Sequence, residues 1–294
     1  MMDAALLMPP RRMMVPIQNR WGAGEMAVMD FGDPKRPVDL VFVHGNGLNA
    51  ATYRSLLAPL SSSLRIMAPD LRGHGLSQLP TRVEGRRGWG DYRDDLIALL
   101  ETLEGPPVAL AGHSMGGTSA LLAAAARPAR VSRLVMLDPV ILSRPMTVAL
   151  GLPVLRHMTR RMPLVKAALR RRDRFDDRKQ ALDAYRGRGA FKGWPDMMLA
   201  DYVSEAFQDA GAGVSLACTP AWEASNFASQ GHDPWSALKR LDRPVTVLRA
   251  EHGSTCSLSQ DRPGVVVRTI PDGNHFFPML KPDVARDALF DAAV

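Results

Sequence analysis

Cysteine is scarce: the 294 residues contain two, Cys218 and Cys256, far apart and with no Cys or His nearby at metal-ligand spacing. A disulfide framework and a zinc site are therefore not indicated, and buried, reduced thiols are expected. Long apolar runs are missing too. None approaches the roughly 20 residues that cross a bilayer, so no stable membrane insertion is expected. Residues 1–16 lack the charged start, apolar centre and small-residue cleavage site of a secretory signal, and a cytoplasmic location is the expectation. Internal repeats and low-complexity tracts are also absent.

What is present has the composition of a soluble globular chain, with 46% hydrophobic and 23% charged residues. The length suits one large α/β domain, or a core domain carrying an insertion. The net charge of +7 is unevenly spread: residues 155–192 hold 13 Lys and Arg against 4 Asp, and the remainder is slightly negative. Such a patch can attract nucleic acid or anionic lipid. Its charges alternate with apolar residues at helical intervals, however, so a solvated helix face is expected and nucleic acid is not. The expected partner is a small-molecule substrate.

Along the chain, residues 13–17 and 25–31 read as two extended segments joined by Asn19, Gly22 and Gly24, a hairpin pattern. Residues 39–43 form a continuous apolar run of the kind buried on both faces of a parallel sheet, ending at His44-Gly45-Asn46-Gly47. A helical pattern over 50–60, a strand at 64–68, a helix at 92–103 and a strand at 131–137 continue an alternation typical of parallel sheets with helices on both faces. From 140 to about 240 the strands give way to helix-favouring sequence broken by prolines, which marks an inserted, mainly helical cap. The core resumes with strands at 244–248 and 264–270 and closes with a helix at 282–292. The expected architecture is thus an α/β core of residues 1–139 and 241–294, with a cap of residues 140–240 inserted after the sixth strand.

The chemistry centres on Val108 to Gly117, where a short apolar strand runs into Gly112-His113-Ser114-Met115-Gly116 and then into an Ala- and Leu-rich helix. Gly-x-Ser-x-Gly at a strand-to-helix turn is a nucleophile elbow. Backbone strain at the serine and close approach of the neighbouring segments demand glycine on either side. The new helix points its unpaired N–H groups, Met115 first, at charge developing beside Ser114. A serine hydroxyl needs a base within reach and an acid to orient that base. His275, in a loop between the last strand and the last helix, is the candidate base.

Taken together, His44-Gly45 after a strand, Asp70-Leu71-Arg72-Gly73-His74-Gly75-Leu76-Ser77, Gly112 to Gly117 and Gly273-Asn274-His275 resemble the α/β-hydrolase superfamily of esterases, lipases and epoxide-hydrolase-like enzymes. The resemblance spans nearly the whole core. It implies a mostly parallel α/β-hydrolase sheet, Ser114 as nucleophile, His275 as base, and an oxyanion hole from the backbone N–H groups of Met115 and Asn46. His44, Gly45 and His113, beside these donors, are expected to contact substrate, and the Asn46 amide could also point at it. Relatives that open epoxides or remove halide use an aspartate nucleophile, so serine points to acyl transfer.

The acid departs from the pattern. The loop after the penultimate strand, where most relatives carry it, reads Arg249-Ala250-Glu251-His252-Gly253-Ser254-Thr255-Cys256 and has no Asp. Glu251 is one candidate. Asp138, at the end of the strand that follows the nucleophile, is the other and is favoured, although Asp-Pro also commonly initiates turns. Arg72 and His74 are expected to fix their loop by hydrogen bonding, the Gly85 to Gly90 stretch with Trp89 to be an ordinary loop, and Met146, Met158, Met162, Met197 and Met198 to offer an adaptable apolar lining in the cap. The expected activity is hydrolysis of a carboxylic ester or thioester of a small to medium apolar acyl group through an acyl-enzyme, with no metal or cofactor. The alternatives are a carbon-carbon bond hydrolase and a non-catalytic ligand-binding protein.

Overall fold

The computed structural model describes residues 9–152, 159 and 161–294; Met158, expected in the cap lining, lies outside the described residues, as do the first eight positions. β1 (Arg11–Asn19) and β2 (Gly22–Phe31) form the expected hairpin, longer at both strands than the alternation suggested. Asn19 Oδ1 accepts the Trp21 N–H across the turn, and Gly22 adopts a φ of +116° that a side chain would strain.

β3 (Leu40–Val43), β4 (Ile66–Pro69), β5 (Val108–His113) and β6 (Val131–Leu137) follow. The inserted segment contributes β7 (Arg174–Phe175), β8 (Phe207–Asp209) and β9 (Val214–Leu216), and the core resumes with β10 (Val245–Ala250) and β11 (Val265–Ile270). One eight-stranded sheet runs β1-β2-β4-β3-β5-β6-β10-β11. It is parallel from β4 onwards, while β2 meets β4 antiparallel. All four residues of β3 and all six of β5 are buried, as continuous apolar runs in a doubly covered sheet must be.

Parallel neighbours need crossovers, and helices supply them. α1 (Gly90–Thr102) buries Leu96, Leu99 and Leu100 on one face, and α2 (Met115–Ala126) is buried along most of its length by small side chains. Both pack into an apolar layer on one side of the sheet, together with Leu110, Leu134 and Val247. The other side is covered by Leu56, Leu57 and the final helix, which joins Phe31, Phe42 and Leu248 in a second layer. The helix expected over 50–60 is a single α-turn, Arg54–Leu57, between 3-10 turns. Pro59 lacks the N–H that a continuing helix would use.

The insertion between β6 and β10 carries α3 (Arg144–Gly151), α4 (Pro163–Leu169), α5 (Arg178–Tyr185), α6 (Asp196–Ala206), α7 (Pro220–Ala228) and α8 (Pro234–Arg240). It is not wholly helical: β7, β9 and β8 form a small antiparallel sheet. These strands are only two or three residues long, too short for an alternating pattern to register. Ala237 of α8 is buried in the layer that contains α2, so the chain rejoins the core a few residues before position 241. Phe175, Phe191, Trp194, Tyr202 and Phe207 continue the other core layer, and the insertion is therefore packed onto the sheet domain through apolar contact. α9 (Pro282–Ala293) closes the chain.

Candidate active site

The site is built where β5, β6 and β11 end. Ser114 follows β5 with φ +55° and ψ −123°, a strained conformation for a residue with a side chain. Its N–H donates to Leu137 O at 2.9 Å, which pins the turn to the next strand. A Cβ on Gly116 would lie 2.3 Å from Val43 O and 2.4 Å from His44 O, and one on Gly112 would lie 2.5 Å from Gly116 C. Only glycine permits so close an approach of α2 to β3 and β5.

His275, in the loop after β11, places Nε2 3.0 Å from Ser114 Oγ and Nδ1 2.6 Å from Asp138 Oδ2. Its side chain retains 22% exposure, while Asp138 has none and Ser114 has 8%. Asp138 stands just past β6, adjacent to the serine because β5 and β6 are neighbours in parallel register, His113 opposite Leu137. Burial raises the Asp138 pKa, but the His275 hydrogen bond and charge, the Ser254 hydroxyl and the Ala250 N–H more than offset this and hold it below the usual carboxylate range. Oδ1 accepts from Ala250 N at 2.8 Å and Ser254 Oγ at 2.5 Å, and Oδ2 also accepts from Thr255 N at 3.1 Å.

Glu251, the other candidate acid, is brought elsewhere. It is half-exposed, with Oε2 accepting the Asp272 N–H at 2.7 Å, and among the described residues no hydrogen bond or ion pair links it to His275. The loop instead supplies hydroxyl and N–H donors, Ser254 and Thr255, to Asp138. The sequence signal for that role is the pair of hydroxyl residues, Ser254 and Thr255, in a loop that lacks an Asp.

The glycine-rich turn after β3 comes to the same edge. Gly45 N donates to Tyr53 Oη and Gly47 N to His74 Nε2, both at 3.2 Å. Among the described residues no hydrogen bond engages the Asn46 N–H, and Met115, first in α2, has no acceptor within its own helix. Among the described residues neither N–H is committed to a hydrogen-bond partner. The Asn46 side chain is committed: it donates to Glu223 O at 3.1 Å and accepts from Asn226 at 2.6 Å, both on α7.

Two expected substrate contacts are corrected. His44 and His113 have no exposure. His44 donates from Nδ1 to Gly45 O and accepts the Leu71 N–H at Nε2, each at 2.8 Å. His113 bonds Tyr53 Oη at 2.7 Å and His275 O at 2.8 Å. Burial, with the nearby His275, lowers the His113 pKa to about 3, so the ring is neutral at ordinary pH. Gly45 is likewise buried, its would-be Cβ within 3.4 Å of Ser114 Cβ, and shapes the turn without offering a side chain.

Arg72 and His74 hold their loop as expected: Arg72 forks onto Asp95 at 2.6 and 2.9 Å. The Gly85 to Gly90 stretch does more than connect, because buried Trp89 donates Nε1 to Asn226 O at 3.1 Å and ties it to α7. From the basic segment, Arg171 is withdrawn from solvent. It bonds Glu223 Oε2 at 2.7 Å and both Tyr185 and Tyr202 hydroxyls, and a Cβ on Gly47 would lie 3.2 Å from its Nη1. Neighbouring Arg178 and Arg186 lie on solvated surface, as the expected solvated face implies, and pair with Asp209 and Asp183. Of the cap methionines, Met198 is buried, while Met146 and Met197 are well exposed and Met162 lies at 36% exposure.

With this geometry in view, comparisons with known proteins converge. A family model described as "Alpha/beta hydrolase family" matches residues 40–288. A 2-(acetamidomethylene)succinate hydrolase of Mesorhizobium japonicum is 26% identical over 259 residues, 85% of this chain and 86% of the relative. A crystal structure of E-2-(acetamidomethylene)succinate hydrolase superposes with a TM-score of 0.75 at 24% identity, covering 96% of this chain and 99% of that one. Shorter matches of 36% and 35% identity link the chain to a magnesium-chelatase 30 kDa subunit of Rhodobacter capsulatus and a 2-hydroxymuconate semialdehyde hydrolase of a Pseudomonas species. They cover 35% and 37% of this chain, and 36% and 38% of the respective relatives.

Proposed function

From the premise that the chain belongs to the alpha/beta hydrolase family, we propose that it is a serine hydrolase cleaving a carboxylic ester or thioester through an acyl-enzyme. The observation that carries this reading is the continuous contact from Ser114 Oγ through His275 to buried Asp138, at 3.0 and 2.6 Å. His275 takes the serine proton as Oγ attacks the substrate carbonyl, and Asp138 keeps the ring in the Nδ1–H tautomer and stabilises the imidazolium. The N–H groups of Met115 and Asn46 receive the oxyanion. His275 then protonates the leaving group, and water attacks the acyl-enzyme by the reverse assistance. None of these steps calls on a metal or an organic cofactor.

The preference for an apolar, uncharged acyl group is supported by Arg171. It is the guanidinium against the Gly47 turn, and Glu223 neutralises it. An acidic substrate would have to compete with that pair for it. A carbon-carbon bond next to a ketone is the second reading, favoured by the similarity to a 2-hydroxymuconate semialdehyde hydrolase. The same serine, base and oxyanion donors serve both. A fluorophosphonate probe is expected to label the protein at Ser114 and to spare Ser114→Ala; absence of labelling overturns the reading. Panels of p-nitrophenyl esters and acyl-CoA thioesters of graded chain length, run beside 2-hydroxymuconate semialdehyde, then separate the two chemistries.

A further inference from the structure

We propose that Tyr53 and His113 act as positioning residues, a buried hydrogen-bond relay that sets the base loop and the oxyanion turn in register with Ser114. The inference rests on the reading of Ser114 as nucleophile. Three segments that converge on the serine come from distant parts of the chain: the turn at Gly45, the end of β5 and the loop at His275. Direct backbone pairing does not join the first to the last. The relay does.

Its polarity is fixed by its two ends. At one end the Gly45 N–H can only donate, so Tyr53 Oη accepts there at 3.2 Å and directs its own proton to His113 Nδ1 at 2.7 Å. At the other end the His275 carbonyl can only accept, so His113 Nε2 must carry the proton that meets it at 2.8 Å. One tautomer of a neutral ring satisfies both ends. Tyr53 and His113 are 1% and 0% exposed, so water does not substitute for a lost partner. The neutrality of His113 follows from burial beside His275, and the two ring centroids are 4.9 Å apart. A cation there would oppose the imidazolium that His275 becomes.

Removing the Tyr53 hydroxyl leaves the ring packed at a tilt against Phe42, 4.7 Å between centroids, but strands the Gly45 N–H and His113 Nδ1. A shift of the His113 proton to Nδ1 would then turn a lone pair on Nε2 toward the His275 carbonyl and release the base loop. Misplacement of a reacting group by about 1 Å costs on the order of 100-fold. Tyr53→Phe is therefore expected to lower kcat by about 10- to 100-fold on whichever p-nitrophenyl ester the parent turns over, with KM within about twofold. A purely structural role would lower the melting temperature and the fraction of sites titrated by a fluorophosphonate, and would leave kcat per titrated site at the parental value.

The companion measurement is the nitrogen-15 spectrum of the imidazoles, which is expected to show His113 as the neutral Nε2–H tautomer in the parent. Parental kcat in a folded Tyr53→Phe protein, or an Nδ1–H tautomer for His113 in the parent, overturns the proposal. Fluorophosphonate labelling of the parent is run first. An unlabelled parent would remove the nucleophile reading, and the nitrogen spectra would still decide for or against the relay.

Discussion

Replacing Asp138 by Asn tests the assignment of the acid with almost no change of shape. Both carboxylate oxygens face only donors: Oδ1 meets the Ala250 N–H and the Ser254 hydroxyl, and Oδ2 meets His275 Nδ1 and the Thr255 N–H. An amide must turn its NH2 toward one of these pairs. Turned toward His275, it forces the ring into the Nε2–H tautomer, which cannot accept the Ser114 proton. Turned toward Ala250, it sets N–H against N–H, at a cost of about 1–3 kcal/mol for the unpaired buried donor, and still removes the negative charge that stabilises the imidazolium. In a serine, histidine and aspartate arrangement the wrong tautomer lowers kcat by about 10⁴, equivalent to about 5 kcal/mol in the barrier. Asp138→Asn is therefore expected to lose about three to four decades of kcat while remaining folded. Glu251→Gln, changed at a half-exposed group bonded to Asp272, should stay within about twofold of the parent. Steady-state turnover of a p-nitrophenyl ester with melting curves on both variants is the assay. A loss below tenfold in Asp138→Asn, or a larger loss in Glu251→Gln, would refute the reasoning.

Other expectations follow from the same contacts. The His113 pKa is depressed in the folded state, so its contribution to stability is complete above its unfolded value near 6.5 and is lost as pH falls toward about 3, because the unfolded chain binds the proton first. Between pH 7.5 and 5.5 this amounts to about 1.4 kcal/mol, with buried His44 and His74, both shifted down by burial, adding in the same direction. Urea unfolding at the two pH values checks it, and equal stabilities would contradict it. Arg171→Met leaves Glu223 unpaired within the inserted segment and should cost about 3 kcal/mol, whereas adding Glu223→Gln should restore much of it; a double variant no better than the single would show that the pair itself is not the cause. Gly116→Ala drives a methyl into the carbonyls of Val43 and His44 and should cost at least about 3 kcal/mol, read as a depressed melting temperature or insoluble expression.

The sequence made the core legible because its signals are local. Apolar runs at β3, β5 and β6, bounded by glycine or proline, mark buried strands whatever surrounds them, and Gly112 and Gly116 announce a close approach that only the folded chain displays. Asp138 was legible as the favoured candidate over Glu251, but the two follow different strands, β6 and β10, and which strand lies beside the serine is a property of the folded sheet. His44 and His113 were misjudged as substrate contacts. Their motif positions beside the serine are real, but whether a ring meets solvent or a buried carbonyl depends on Tyr53 and Leu71, which lie at unrelated sequence distances. The cap yielded least. Strands of two or three residues carry no period, and Arg171 reads as one more surface charge until Glu223, 52 residues on, is found beside it.

An acid at the end of β6 also changes which part of the site is fixed. Ser114 and Asp138 sit on adjacent strands joined by the Ser114 N–H to the Leu137 carbonyl, so their separation is set by the spacing of one strand pair. The backbone positions of both follow from that pair, while the Asp138 carboxylate is oriented by the Ala250 N–H at the end of β10 and by Ser254 and Thr255 in the loop beyond it. His275 is different. It reaches the serine from beyond β11, two strands past β6, and is held by Asp138 at Nδ1, Ser114 at Nε2 and His113 at its carbonyl. Two of those contacts involve the ring that, in the proposed mechanism, gains and loses a proton in each cycle. The third is to the backbone and does not change with protonation, which makes His113 the tether that can keep the base in place while its charge alternates.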